Sequence, residues 1–366
     1  MSSSNSTTKP PAKKKSGGGT PELSGKAIFY MCLLAIQFGI QPTLTRRYTP
    51  STICRSTVIV MQEVLKFIIA YTMLYLSSTS NNPVSAVLKE FTILTWFQIA
   101  MLPAALYALQ NICALTAYQQ LDALTFNVLN QTKTLSAALC CYLVLNKKQS
   151  TIQILSLFIL LLAALVMEKI IPIDSLLSAS FLGGGDASDD GDSASAHPFM
   201  KLPDLTSSHW VSGVIPIMVA SFLSGLNGAL TQKSLQSHGV GGRNPYLFSM
   251  ELCAASALIL GLSLFFSNDG KLIVENGFWN NWTIQTWIPI VTNSIGGIIV
   301  GLVTKYAGSV RKGFALIFGI LLSGISQAIF DSASSITTEH VIGGILAGIS
   351  LWLHATNPYI PKEKKD

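Results

Sequence analysis

The sequence predicts an all-α polytopic membrane protein, with ten transmembrane helices as two inverted five-helix repeats. Three observations predict it. Only 11% of the 366 residues are charged and 49% are hydrophobic, with a mean hydropathy of +0.48, whereas about a quarter of the residues of a soluble domain are charged. Apolar runs of the roughly 20 residues that a helix needs to cross a bilayer recur along the chain. One long polar interruption, at 172–210, divides those runs into five and five.

Taken in order, residues 1–26 are rich in Ser, Gly, Pro and Lys and offer no apolar surface to offset the entropy of ordering, so they are expected to form a disordered cytosolic tail. No small-residue cleavage site follows the first apolar run, which therefore reads as a retained helix. Apolar runs at 28–45, 57–76, 92–118, 123–146 and 152–171 make up the first repeat, 27–171. The Gly/Ser/Asp composition of 172–210 is that of a flexible acidic lumenal linker. Runs at 211–232, 246–266, 284–304, 314–330 and 340–355 make up the second repeat, 211–355, and 356–366 form a cytosolic tail.

The last two runs are short and Gly-rich, so hydropathy alone is compatible with nine spans. Basic residues favour ten, because with both termini in the cytosol most of the 24 Lys and Arg fall on the cytosolic side. The exceptions are Arg46, Arg47, Arg55, Lys169, Lys201 and Lys271, while Lys66 and Lys133 lie inside spans. An odd number of spans per half inverts a duplicated unit in the membrane, an architecture that places a binding site near the midplane between the halves. A faint internal echo accompanies this: IQFGIQPTLTRR resembles ASFLSGLNGALTQK, and NQTKTLSAAL resembles SVRKGFALIFGILLSG, which pairs Lys133 with Lys312.

Lys133 is the strongest candidate for function. A lysine at mid-depth costs about 3 kcal/mol on insertion scales and therefore faces a cavity and a polar partner. On a continuous helix Phe126, Asn130 and Lys133 share one face, with Gln131 about 200° away from Lys133. The preceding span carries Tyr107, Gln110 and Asn111. In the second half Ser224 and Asn227 share a face, Asn293 precedes Gly296 and Gly297, and Lys312 opens the ninth span. Interhelical hydrogen bonding is the competing explanation for Ser224, Asn227 and Asn293. Lys66 is expected to pair with Glu63 one turn away, and Glu251 is expected to be buried.

A cation from each half, with amides and a ring nearby, suits an anionic substrate that carries a planar base and hydroxyls. No P-loop, dinucleotide fingerprint, metal-ligand cluster or catalytic triad occurs, so neither a cofactor, a metal nor bond-breaking chemistry is expected. The Asp190–Asp192 DGD pattern, which glycosyltransferases use for a metal, lies in a low-complexity loop. The six cysteines lack metal-ligand spacing and are expected to be small buried hydrophobes. The net charge of +6 forms no basic patch interleaved with aromatics, so nucleic acid is not an expected partner.

The motifs VIVMQEVLKF (58–67), YALQN (107–111), LDALTFNVLNQTKTLSAAL (121–139), LSGLNGALTQ (223–232) and GGIIVGLVTKYAGSVRKGFA (296–315) span both halves. Together they resemble the nucleotide-sugar transporter family, in the branch of CMP-sialic acid, UDP-galactose and UDP-N-acetylglucosamine carriers, and in motif style most of all the plant endoplasmic-reticulum UDP-GlcNAc/UDP-GalNAc carriers. The resemblance implies exchange of a cytosolic nucleotide sugar, UDP-GlcNAc or UDP-GalNAc, for lumenal UMP. It also implies Lys133 and Lys312 on phosphates and Gln110, Asn111, Phe126 and Asn130 around the nucleotide, with Asn244 in GRNPYLF as a further pocket residue. Relatives carry Tyr at the positions of Asn130 and Phe248. A UDP-galactose or CMP-sialic acid carrier is the alternative within the family, and a membrane-embedded glycosyltransferase the alternative outside it.

The address follows from the end of the chain. Lys362 and Lys364 in KEKKD match a dilysine signal for retrieval to the endoplasmic reticulum through the COPI coat, so an endoplasmic-reticulum or Golgi membrane is expected. Besides lipid, a homodimer is an expected partner. The sequon NWT makes Asn281 a candidate for lumenal glycosylation.

Overall fold

The computed structural model of the protein describes residues 24–77, 91–121, 123–167, 210–236, 243–330 and 337–359. Among these every regular element is helical. The first 23 residues, the linker up to residue 209 with its Asp190–Asp192 pattern, and Lys362 and Lys364 lie outside the described residues.

Helix α1 (Gly25–Tyr48) starts where Ser24 Oγ accepts the Ala27 N–H at 3.2 Å, which satisfies one of the orphan donors of a helix start. It is followed by α2 (Arg55–Ser77) and by α3 (Ile93–Gln120), which contains a π-helical turn at Phe97–Met101. The single helix expected over 123–146 is instead two, α4 (Ala123–Gln131) and α5 (Lys133–Leu145). The cause is Thr132, whose N–H and Oγ1 both donate to the Leu129 carbonyl, at 3.1 and 2.6 Å. The tightened turn gives up the regular ladder in favour of the hydroxyl's local bond.

The chain continues through α6 (Thr151–Met167) and α7 (Val211–Gln236) to α8 (Pro245–Phe266). Next come α9 (Asn268–Asn276), a short helix that hydropathy did not announce, and α10 (Trp287–Tyr306). The last two are α11 (Ser309–Phe330) and α12 (Thr338–Thr356). By length and composition seven helices are able to cross a membrane: α1, α2, α3, α7, α8, α10 with its leading turn, and α11. The remaining three of the ten expected spans are not among them. One is broken at Thr132, and α6 has 17 residues. Large apolar side chains such as Phe266, 92% exposed, face outward, as suits helices whose own backbone bonds are complete and whose surroundings are lipid.

Contacts fix the relative directions. Helix α1 runs parallel to α11, with Gly39 against Gly319 and Leu322 and a 2.8 Å hydrogen bond between Thr43 Oγ1 and Ser326 Oγ. It runs antiparallel to α10, where Gln41 Nε2 donates to Pro289 O at 2.9 Å and Tyr30 stacks on Tyr306. Helix α7 is placed in the same way: parallel to α5 and antiparallel to α3, where Asn227 Nδ2 donates to Pro103 O at 3.0 Å. At Gly225 of α7 a Cβ would stand 2.5 Å from the Ser136 carbonyl carbon, so only glycine permits this approach. Further pairs are α2 with α8 and α6 with α12, the latter tied by Gln153 to His354 O at 3.1 Å and by Ser350 to Ser156 O.

Candidate functional site

The break at Thr132 and the crossing helices leave a cavity of about 700 Å³ between α1, α3, α4, α5, α7, α10 and α11. Of the residues singled out from sequence, Tyr107, Gln110, Asn130, Lys133, Ser224, Asn293 and Lys312 line it. No Asp or Glu does. Lys133 opens α5 directly after the break. Lys312 sits in the first turn of α11 and is placed by Gly308, whose φ of 91° makes the sharp reversal after α10. Between the two lysines Thr134 of α5 meets Gly313 of α11, where an added Cβ would stand 3.0 Å from the Thr134 methyl.

The polar lining is only partly satisfied from within. Asn293 Nδ2 donates to Gln62 Oε1 at 2.9 Å, which anchors it to α2. Gln110 Oε1 is buried and accepts no hydrogen bond among the described residues. An acceptor in that state costs about 1–3 kcal/mol unless a donor reaches it, so it marks a place where a ligand N–H or O–H is favoured.

Four expected site residues are placed elsewhere. Asn111 is exposed on the outer side of α3. Phe126 packs edge-on against Tyr118, with ring centroids 5.2 Å apart. Asn227 is fully buried and joins α7 to α3 by donating to Pro103 O, while its Oδ1 accepts no hydrogen bond among the described residues. Asn244 caps α8, its Oδ1 accepting the Tyr246 N–H at 2.9 Å. Asn281 stands at φ 59° and donates to Thr52 O at 3.3 Å.

The cavity also gathers residues that the sequence reading passed over. Gln131, expected on the opposite face from Lys133, lines the cavity beside it, at the tightened turn where α4 gives way to α5. Helix α1 contributes Gln37, Gln41, Thr45 and Arg46. Their spacing was the available signal: polar residues at 37, 41 and 45 fall on one stripe of an otherwise apolar helix.

The other charges inside predicted spans, Glu63, Lys66 and Glu251, are held in ion pairs. Lys66 binds Glu63 at 2.6 Å, as expected, and its stem lies on Gly297. Glu251 is paired with Arg243, whose Nε donates to Oε2 at 2.9 Å while Nη2 donates to Oε1.

One end of the cavity is shut by hydrogen bonds. Gln232 Oε1 accepts the Ser309 N–H at 2.8 Å and lies 3.5 Å from Cys141 Sγ. Gln236 accepts from Gln232 Nε2 at 3.0 Å and from Lys147 Nζ at 2.8 Å, and donates to Thr304 O and Lys305 O. Burial is the main cause that holds the Lys147 pKa below the ordinary lysine value, with Arg311 adding to it. At the other end the lining runs out along the last turns of α1 to exposed Arg46.

A family model described as nucleotide-sugar transporter matches residues 25–355. The chain is 33% identical to the UDP-N-acetylglucosamine transporter ROCK1 of Arabidopsis thaliana, over 93% of this chain and 95% of that one. It is 28% identical to the UDP-N-acetylglucosamine transporter of Homo sapiens, over 83% and 85%. It is 27% identical to the UDP-galactose translocator of Bos taurus, over 74% and 62%. A crystal structure with 10% identity superposes with a TM-score of 0.57 over 90% of this chain and 97% of its own, a likeness of fold alone.

Proposed function

The chain belongs to the nucleotide-sugar transporter family, and we propose that it exchanges cytosolic UDP-GlcNAc or UDP-GalNAc for lumenal UMP across the endoplasmic-reticulum or Golgi membrane. The observation that carries the proposal is the cavity with Lys133 and Lys312 in its wall and no carboxylate among its described lining residues. Two ammonium groups offset the desolvation of phosphate, which an apolar cavity alone would not. The substrate follows from the UDP-N-acetylglucosamine transporters among its relatives. In this reading Lys133 and Lys312 hold phosphate, and Gln110 with Asn130 and Tyr107 faces the base. Ser224 and Asn293 face the remainder of the ligand.

Ten spans with both termini in the cytosol, built as repeats 27–171 and 211–355, complete the proposal. Its support is that the packing exchanges when the halves are exchanged. Helix α1 on α10 and α11 matches α7 on α3 and α5, while the α2–α8 and α6–α12 pairs map onto themselves. The Thr134–Gly313 contact lies where pairing Lys133 with Lys312 puts the two-fold axis. Such an arrangement exposes one site to each side in turn.

The test is transport by the purified chain in liposomes. Liposomes preloaded with UMP are expected to take up UDP-GlcNAc and UDP-GalNAc much faster than empty ones, and UMP to compete better than CMP or GMP. Uptake indifferent to internal UMP rejects exchange. Preference for UDP-galactose or CMP-sialic acid rejects the substrate and keeps the family.

A further inference from the structure

We infer that Arg46 is a third phosphate-binding cation of the cavity, the one that takes the phosphate of a nucleoside monophosphate at the open end. The inference rests on the transport reading above and adds a residue to it. Arg46 lines the same cavity as Lys133 and Lys312. It is exposed, and it makes no hydrogen bond or ion pair among the described residues. Its neighbour Arg47 is used differently, with its guanidinium 5.7 Å from the Tyr48 ring centroid.

Topology strengthens the case. The basic residues of this chain favour the cytosolic side, and Arg46 runs against that preference, so orientation in the membrane does not account for it. Nor does a surface ion pair, since Arg46 makes none among the described residues. What lies inward of it is a polar ladder along α1: Thr45 Oγ1 accepts from Gln41 Nε2 at 3.3 Å, and Gln41 Oε1 accepts from Gln37 Nε2 at 3.3 Å. A ligand that enters past Arg46 is met by hydrogen-bonding groups along the whole path to the lysines.

Chemistry selects the ligand end. A guanidinium offers a planar fork of N–H donors that matches two oxygens of one phosphate. The terminal phosphate of a monophosphate carries three unesterified oxygens and close to two negative charges near neutral pH. In a nucleotide sugar each phosphorus has only two free oxygens and both ends are esterified. Arg46 therefore favours the monophosphate over the sugar nucleotide at the side where α1 ends.

The test is binding of UMP, UDP-GlcNAc and uridine to the purified full chain, followed by calorimetry or ligand-induced thermal shift, in wild type, R46Q, R46K, R47Q and K133Q. The expected result is a UMP Kd about tenfold higher in R46Q, as for loss of one charge-assisted hydrogen-bonded contact. UDP-GlcNAc affinity is expected to fall less and uridine affinity to stay at the wild-type value. R46K should recover part of the loss, and R47Q should match wild type. Unchanged UMP affinity in R46Q, with K133Q still impaired, overturns the role of Arg46 and leaves the transport reading standing. Equal loss for uridine and UMP in both R46Q and R46K also overturns it, because that pattern is damage to the cavity. Failure of wild type to bind UMP overturns the transport reading itself.

Discussion

The two ends of the cavity are built from equivalent stretches of helix and differ at one matched position. At the shut end Gln232, Gln236, Ser309 and Lys147 bond to one another and to the carbonyls of Thr304 and Lys305. At the open end Asn130, Gln131 and Arg46 face the cavity. The sequence echo aligns Gln232 with Arg46, so one position in a duplicated unit serves as a bolt in one half and stands at the mouth in the other. The difference teaches that closure here rests on a network of internal hydrogen bonds, each worth about 0.5–1.5 kcal/mol net, rather than on apolar packing alone.

The comparison is broken most severely at its centre. K133Q is expected to lower transport by about 100-fold or more, the loss that follows when one member of a buried charge pair is removed. Expression should hold near wild type, because a buried charge is relieved. Uptake per mole of reconstituted protein measures this. The next effect is at the bolt. Q232L leaves the buried Ser309 N–H without its acceptor, at a cost of about 1–3 kcal/mol, and removes one of the two donors to Gln236 Oε1. With Cys141 as the only cysteine, its labelling by a maleimide should accelerate about tenfold, the rate equivalent of 1.4 kcal/mol. An unchanged rate would mean that this network does not hold the end shut.

A smaller change tests the interior of the open half. Q110L removes the unmatched acceptor, and the preference for UMP over CMP is expected to fall roughly threefold to tenfold in competition assays. The smallest expected effect is at the rim. N281Q should leave transport unchanged, because Asn281 lies outside the cavity and its hydrogen bond is to Thr52 O at the rim. A mass shift on deglycosylation of wild type that is absent in N281Q would place this turn in the lumen.

Much of this was legible in the sequence because a bilayer leaves few options. Helices long and apolar enough to span are visible from composition, and a lysine in their midst has few places to face. Lys133, Lys312, Gln110 and Asn130 were found that way. What escaped notice depends on single hydrogen bonds. Nothing in the pattern of 123–146 says that the Thr132 hydroxyl will turn back on Leu129, and without that break Gln131 falls on the wrong face. Asn227 reads equally well as ligand contact or helix tie until Pro103 is seen beneath it. Arg46 was visible as an exception to the charge rule, and the exception was itself the signal.

The Arg243–Glu251 pair has a consequence for biogenesis. Glu251 lies in the second turn of a helix that must leave the translocon for lipid, where a lone ionised carboxylate is costly. Arg243 emerges from the ribosome eight residues earlier, so its guanidinium is already at hand when Glu251 arrives. Once folded, Trp96 Nε1 donates to the Glu251 carbonyl at 3.1 Å and Lys305 Nζ reaches the Arg243 carbonyl at 3.4 Å. A pair that eases membrane insertion of one hairpin thus becomes the peg on which an earlier and a later helix are hung, and replacing either charge alone should be felt first as poor yield during synthesis.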